Sequence, residues 1–290
     1  MIIDFNSWEE TDEFSDGSGA SEKVWLVNSN NNQIGLFKYP KDVNTTEHVS
    51  EKIASVIAKT IDVPCAKVDI GTYNQRLGSM SYLINNNRQG ILEGIHLLGL
   101  SYDRKQLYDK EKDEYYSLDV ILNSLSQYNL EKKFLNVVVF DYLIGNSDRH
   151  QNNWALLISD FKYIDLCPLY DNGSSLCSYV PEHKIKNYLG NDHQLFNSLV
   201  DSKSKSRIRI DKQSKKQPTH FQVISYLKDT FSNDITDILD NICNNITEQN
   251  INNILENNSE NLISYDRKQL ILKFLLVKVE KIKNLFGRSD

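Results

Sequence analysis

The chain has 290 residues, 40% of them hydrophobic and 25% charged, and a net charge of −6. That composition is globular, and the length allows one large domain or two lobes. The acidic balance leaves no global basic field to recruit nucleic acid. No apolar run reaches the ~18 residues of a membrane span, and Asp141 interrupts the best candidate. The N-terminus, MIIDFNSWEETDEF, is acidic and does not read as a secretory signal. Cys65, Cys167, Cys177 and Cys243 form no Cys-x-x-Cys pair, so a reduced, cytoplasmic protein without a zinc site is expected.

The first elements expected are strands at 23–28 and 34–39, joined by a turn at Ser29 to Gln33 as a hairpin. A helix follows. Asn44 stands as its cap with Glu47 three residues later, and Val49, Ile53 and Ile57 recur at helical spacing. Pro64 ends that region, and 66–70 and 79–84 read as two more strands. A polar connector, Asn85 to Gly90, leads into helices at 117–128 and 131–144, the latter with Leu135, Val138, Val139 and Tyr142 on one face. Short strands at 154–158 and 162–164 come next, then helices with good candidates at 192–200, 219–231 and 262–285. The order predicts an α+β chain with two lobes. A β-rich N-terminal lobe spans 1–84 and a helical lobe spans 85–290, and ligands often sit in such a cleft.

Four polar sites fall along this order. Asp16 to Lys23 (DGSGASEK) is small and flexible. Gly17 and Gly19 would let backbone N–H groups approach an anion. Lys38 ends an apolar strand and can reach back to phosphate oxygens, although an edge lysine of this kind also snorkels. The segment GNSDRHQNNWALL places Asp148 and Asn153 five apart on a loop between a buried helix and a strand. Phosphoryl transfer uses that pairing, with a carboxylate orienting the attacking hydroxyl and an amide oxygen holding Mg²⁺. PLYDNGSS then brings Asp171 after the β-pair, a hard oxygen ligand in reach of the same metal. Each stretch alone also reads as a turn. A glycine loop, strand lysine, helix glutamate, Asp with Asn, and Asp after a hairpin is the order of a protein-kinase-like core.

GNSDRHQNN followed by PLYDNGSSL resembles the HipA-like serine/threonine kinases, and GASEKVWLV resembles their glycine-rich loop and first strand. The Asp-Arg-His-x-x-Asn string also resembles the catalytic loop of phosphoinositide-kinase-like enzymes. The likeness runs from about Asp16 to Leu176. It implies a two-lobed protein-kinase-like fold using ATP and Mg²⁺. Asp148 would be the base, and Asn153 and Asp171 the Mg²⁺ ligands. His150 would stabilise the transferring phosphoryl or hold the loop, which Arg149 would order. Gly17, Ser18, Gly19, Ala20 and Lys23 would line the nucleotide. Lys38 would contact its α- and β-phosphates with Glu47 as helix partner, Glu51 being the fallback. Tyr82 and Leu83 would belong to a hinge, Tyr82 to Asn85, whose backbone meets adenine. The chain resembles compact members without an extra N-terminal subdomain. The slot of a self-inhibitory serine holds Asp16, a departure from the self-inhibiting members, with Ser15 and Ser18 nearby, and autophosphorylation is expected at one of those two serines.

The resemblance implies a protein substrate, with room for an antitoxin-type partner and no direct contact with nucleic acid or membrane. Residues 203–216 (KSKSRIRIDKQSKK) form the one dense basic run, either a solvated loop, a surface for an acidic or phosphorylated segment, or a dock for a nucleic-acid-bound protein. The rivals to a protein kinase are a lipid or small-molecule kinase on the same scaffold and a nucleotide-binding pseudokinase.

Overall fold

The computed structural model describes residues 2–14, 22–42, 44–85, 89–102, 116–159, 162–259 and 261–288. Six strands of the N-terminal part form one sheet. They are β1 (Ile3–Asp4), β2 (Glu9–Glu10), β3 (Lys23–Asn28), β4 (Gln33–Lys38), β5 (Val68–Tyr73) and β6 (Arg76–Tyr82), in the order β1-β5-β6-β4-β3-β2. All neighbours are antiparallel except β1 and β5. The expected β3–β4 hairpin is present. In its register Lys23 lies directly opposite Lys38, on the same face of the sheet. Like charges facing each other across a ladder are unfavourable unless an anion lies nearby.

Helix α1 (Glu47–Thr60) buries Val49, Ile53, Ala54, Ile57 and Ala58. Its start differs from the expected capping box. The Asn44 backbone N–H and side-chain amide both donate to Asp42 at 2.8 Å, forming an Asx turn. The helix begins two residues later, after Thr46, which gives no side-chain cap. Glu47 is therefore the first helical residue, not the third.

A second sheet holds β7 (Gly90–Glu93), β8 (Ala155–Ser159) and β9 (Lys162–Leu166), and residues 145–154 lead into β8. The helices after α1 are α2 (Gly94–Leu98), α3 (Leu118–Ser126), α4 (Glu131–Ile144), α5 (Ile185–Leu189), α6 (His193–Val200), α7 (His220–Phe231), α8 (Thr236–Asn245), α9 (Glu248–Ser259) and α10 (Tyr265–Phe286). Helix α4 is buried nearly all round: Phe134, Val137, Phe140 and Leu143 join the expected face, as suits a helix at the centre of a core. Apolar packing falls into two clusters. A small one under the first sheet holds Phe5, Trp8, Leu26, Phe37, Tyr39 and Met80. The large one joins α1 to the helices of the C-terminal part. Among the described residues, no helix is long and apolar enough to cross a membrane.

Helix α4 ends at Gly145, whose φ of 67° is left-handed, and a Cβ there would stand 2.7 Å from the Phe274 ring. Gly145→Ala is expected to cost about 1–3 kcal/mol from backbone strain and overpacking. Urea unfolding of the two proteins checks it, and equal stabilities would remove this account of the turn.

Candidate active site

The loop after α4 is built around Arg149, one of the largest fully buried side chains. Its guanidinium donates to both oxygens of Asp141, Nε to Oδ2 at 3.0 Å and Nη2 to Oδ1 at 2.8 Å. Nη1 donates to the carbonyls of Asn153 (2.7 Å) and Tyr170 (3.0 Å), and Nη2 also to Asn172 Oδ1 (2.5 Å). One planar fork thus ties the end of α4, the loop carrying Asp148 and Asn153, and the segment carrying Asp171. Asp141 was legible only as a lone acid in an apolar helix. That oddity was the signal for a buried partner.

Asn153 donates its amide to the Asp148 carbonyl at 2.7 Å, which leaves Oδ1 as its ligand atom. The Asp148 carboxylate receives no hydrogen bond among the described residues. His150 lies beside it. Its Nδ1 accepts the Asn152 N–H at 3.2 Å, which places the ring proton on Nε2. Burial holds the pKa of His150 below the ordinary histidine value, against the pull of Asp148 and Asp171.

Lys38 Nζ and Asp171 Oδ1 meet at 2.9 Å, joining residues 133 positions apart. The Lys38 ammonium holds the Asp171 carboxyl down at about 2, against the opposing effect of burial. Burial works against the charge on Lys38, but Asp171, Glu51 and Glu47 outweigh it and raise its pKa. Glu51 is buried one helical turn after Glu47 and accepts the Asn172 backbone N–H. Burial raises its pKa, with Lys38 opposing, and its Oε1 has no hydrogen-bond partner. Glu47 is turned elsewhere: it accepts the Tyr179 hydroxyl at 2.5 Å, and that hydroxyl also meets Ser174 Oγ at 2.9 Å. The fallback Glu51, not Glu47, is the carboxylate buried behind Lys38. Gly173 permits this closeness, since a Cβ there would stand 3.1 Å from the Glu47 carbonyl and 3.3 Å from Glu51 Oε2.

Gly17, Ser18, Gly19 and Ala20, with Ser15 and Asp16, lie outside the described residues. At the hinge, the Tyr82 N–H donates to the Lys67 carbonyl (3.0 Å) and the Leu83 N–H to that of Ile34 (2.9 Å). Both donors are therefore committed to the sheet, and only carbonyls or the residues beyond Leu83 remain for a base. The donors Asn153 Oδ1 and the Asp171 carboxylate are hard oxygens and suit Mg²⁺. Among the described residues no three His, Cys, Asp or Glu side chains gather into a metal site of their own. A Mg²⁺ held by this pair would complete its shell with phosphate oxygens and water.

A second support was not visible in the sequence. Lys278 Nζ, fully buried on α10, donates to Ser204 Oγ at 3.0 Å. Ser204 lies 3.0 Å from His220 Nδ1, and His220 Nε2 donates to the Asn146 carbonyl at 2.9 Å. Burial, reinforced by Lys278, drives His220 down to about 3, so its ring is neutral. The same burial brings Lys278 down to about 7, opposed by Asp201 and Cys177 and helped by Lys281. The free amine titrates near ~10.4, so between these values the unfolded chain binds more protons than the folded one. Stability is expected to rise from about pH 7 towards pH 10, and Lys278→Met is expected to flatten that rise. Thermal melts of both proteins across this range check the slope. A rise of the same size in both would acquit Lys278.

The family model of the HipA-like C-terminal domain matches residues 15–250. The serine/threonine-protein kinase CtkA of Helicobacter pylori (strain J99) is 24% identical over 250 residues, 82% of this chain and 73% of the relative. The crystal structure of a Helicobacter pylori proinflammatory kinase CtkA matches with a TM-score of 0.83 at 21% identity, over 99% of this chain and 96% of that one. HipA of Shewanella oneidensis MR-1, solved with HipB and operator DNA, matches with a TM-score of 0.58 at 13% identity, over 99% of this chain and 68% of that one. The two solved structures share the fold, a β-rich N-terminal part and a helical C-terminal part. With the family model covering most of its length, the chain belongs to the HipA-like C-terminal domain family, a family of kinase fold.

Proposed function

We propose that this protein is a Mg²⁺-ATP-dependent protein serine/threonine kinase. The observation that carries the reading is the Lys38–Asp171 contact beside the Arg149-locked loop. It sets an ammonium against a carboxylate, and Arg149 and His150, which lies near both Asp148 and Asp171, join that pair to the loop carrying Asp148 and Asn153. The CtkA relative, described as a serine/threonine-protein kinase, supports the class of substrate.

In this reading the bond from the γ-phosphorus to the bridging oxygen of ADP breaks, and a bond to the acceptor hydroxyl oxygen forms. Asp148 orients that hydroxyl and accepts its proton. Lys38 turns to the α- and β-phosphates, and Glu51 Oε1, unbonded and buried behind it, is the acceptor that then holds the ammonium in place. His150 offers its Nε2 proton towards the transferring group. Asn153 and Asp171 would hold a Mg²⁺, which would supply charge neutralisation at the phosphates. Little covalent chemistry falls to the protein, so positioning and electrostatics supply most of the rate. Autophosphorylation at Ser15 or Ser18 and an antitoxin-type partner belong to the same proposal. The second is suggested by the HipA relative solved with HipB.

The test is incubation of the pure protein with γ-labelled ATP and Mg²⁺, with casein and phosphoinositide vesicles as separate acceptors. Label on protein supports the proposal. Label on lipid alone would make it a lipid kinase. No label on any acceptor, with a nucleotide-induced melting shift intact, would make it a pseudokinase.

A further inference from the structure

We propose that residues 203–216 form a docking surface for an acidic segment of the protein substrate, an inference that rests on the kinase reading. The strip holds seven basic residues and a single acid, Asp211, on a chain whose net charge is −6. The Asp211 carboxylate is spent within the strip, accepting the Gln213 N–H at 2.8 Å and the Ser214 hydroxyl at 3.0 Å. Lys205, Lys212, Lys215 and Lys216 are exposed and have no ion-pair partner among the described residues. Lys203 is exposed too, its ammonium 5.9 Å from the Tyr188 ring.

A solvated charge run would be free of the catalytic machinery. This one is fastened to it twice. On one side Ser204 holds His220 through its side chain and its carbonyl, which accepts the His220 N–H at 2.8 Å. His220 in turn holds the Asn146 carbonyl, two residues before Asp148. On the other side the Arg209 N–H reaches the Tyr116 carbonyl (3.3 Å) and the Leu118 N–H reaches the Arg209 carbonyl (2.8 Å). The Tyr116 hydroxyl donates to the Arg149 carbonyl at 2.7 Å. Along this stretch Ser204, Ser206 and Ile208 face inward while Lys203, just before the first fastening, and Lys205, between the two, face out. Lys205 is thus held at a fixed place beside the loop that would receive the acceptor hydroxyl, and Lys212, Lys215 and Lys216 follow on a loop whose two ends are tied, at Arg209 and at Pro218, whose carbonyl accepts the Ser206 N–H at 3.0 Å. Arg207 lies near enough to His150 to oppose its protonation.

Exposed lysines attract extended acidic segments through many weak, salt-screened contacts, which favours encounter and register over deep burial. The experiment uses a labelled peptide with one serine among aspartates and glutamates, and a matched peptide with asparagines and glutamines. Each is titrated by fluorescence anisotropy at low and physiological salt. The wild type is expected to bind the acidic peptide on the order of 10-fold more tightly at low salt, with the gap narrowing as salt rises. The combined K205Q, K212Q, K215Q and K216Q variant is expected to lose the gap while keeping its melting temperature and its affinity for ATP. Equal binding of the two peptides by the wild type, or an undiminished gap in the variant, overturns the proposal. A single-stranded oligonucleotide of equal charge binding more tightly than the acidic peptide would also overturn it, reassigning the strip to nucleic acid. Peptide preference without any nucleotide binding would sink the kinase reading and leave the surface standing.

Discussion

Arg149→Met is expected to destabilise the fold by about 3–5 kcal/mol and to remove phosphoryl transfer. The loss follows from what stays behind. Asp141 is 3% exposed, and without the guanidinium its charge is buried and uncompensated. The carbonyls of Asn153 and Tyr170 and the Asn172 side chain lose a donor as well. Arg149→Lys is expected to recover little, because one ammonium cannot present a planar fork to three segments. Adding Asp141→Leu to Arg149→Met should restore much of the stability, since neither charge then remains, but not the transfer. The loop and the Asp171 segment would still lack their common anchor. Denaturant unfolding and label transfer on the three variants test this. A single Met variant as stable and active as wild type would remove Arg149 from its place in the argument.

Asp171→Asn and Asp148→Asn are expected to fail in different ways. Asp148→Asn should lower transfer by about 10²–10⁴-fold while nucleotide binding persists, because on its proposed role the carboxylate acts on the acceptor and not on ATP. Asp171→Asn should lose transfer together with the Mg²⁺-dependent part of nucleotide binding, since its ligand charge is gone. Titration with a fluorescent ATP analogue, with Mg²⁺ and with EDTA, separates the two. Normal transfer from either variant would strike out its assigned role. The depressed pKa of Asp171 adds a sign. Its pairing with Lys38 stabilises the fold above the ~3.9 of a free aspartate and is lost only as pH falls towards about 2. The side chain is 44% exposed, so that contribution is small and screened.

Much of this architecture was legible because it is local. The β3–β4 hairpin, helix α1 and the apolar helix α4 announce themselves by period and turn chemistry. The Asp148-to-Asn153 spacing and Asp171 after a β-pair are readable for the same reason. What escaped depends on partners far away in the chain. Strand β1 is two residues long and exists only because β5 pairs with it. Strand β7 needs β8, across more than sixty positions. Glu47, the expected partner of Lys38, and Glu51, the fallback, share one face of a helical wheel. Only the packing of α1 against Gly173 and Asn172 shows which one is buried behind Lys38. The basic run read as a loop or a binding surface alike because its charges dominate, but its alternation of serines and isoleucine with lysine and arginine over 203–208 was an extended, one-side-buried pattern. The Lys278–Ser204–His220 chain joins three distant elements and left no mark in spacing at all.

The contact between Lys38 and Asp171 has a thermodynamic consequence. On the proposed roles, the group that receives phosphate and the group that receives the cation satisfy each other when both ligands are absent. A cation arriving alone must compete with an ammonium for Asp171. A nucleotide arriving alone must draw that ammonium away and leave a carboxylate facing its phosphates. Arriving together, each ligand meets the half of the pair that the other releases. The two affinities are therefore coupled, and by linkage the factor by which Mg²⁺ strengthens nucleotide binding equals the factor by which nucleotide strengthens Mg²⁺ binding. Such a cleft stays quiet towards either ligand alone and responds to the complex of both.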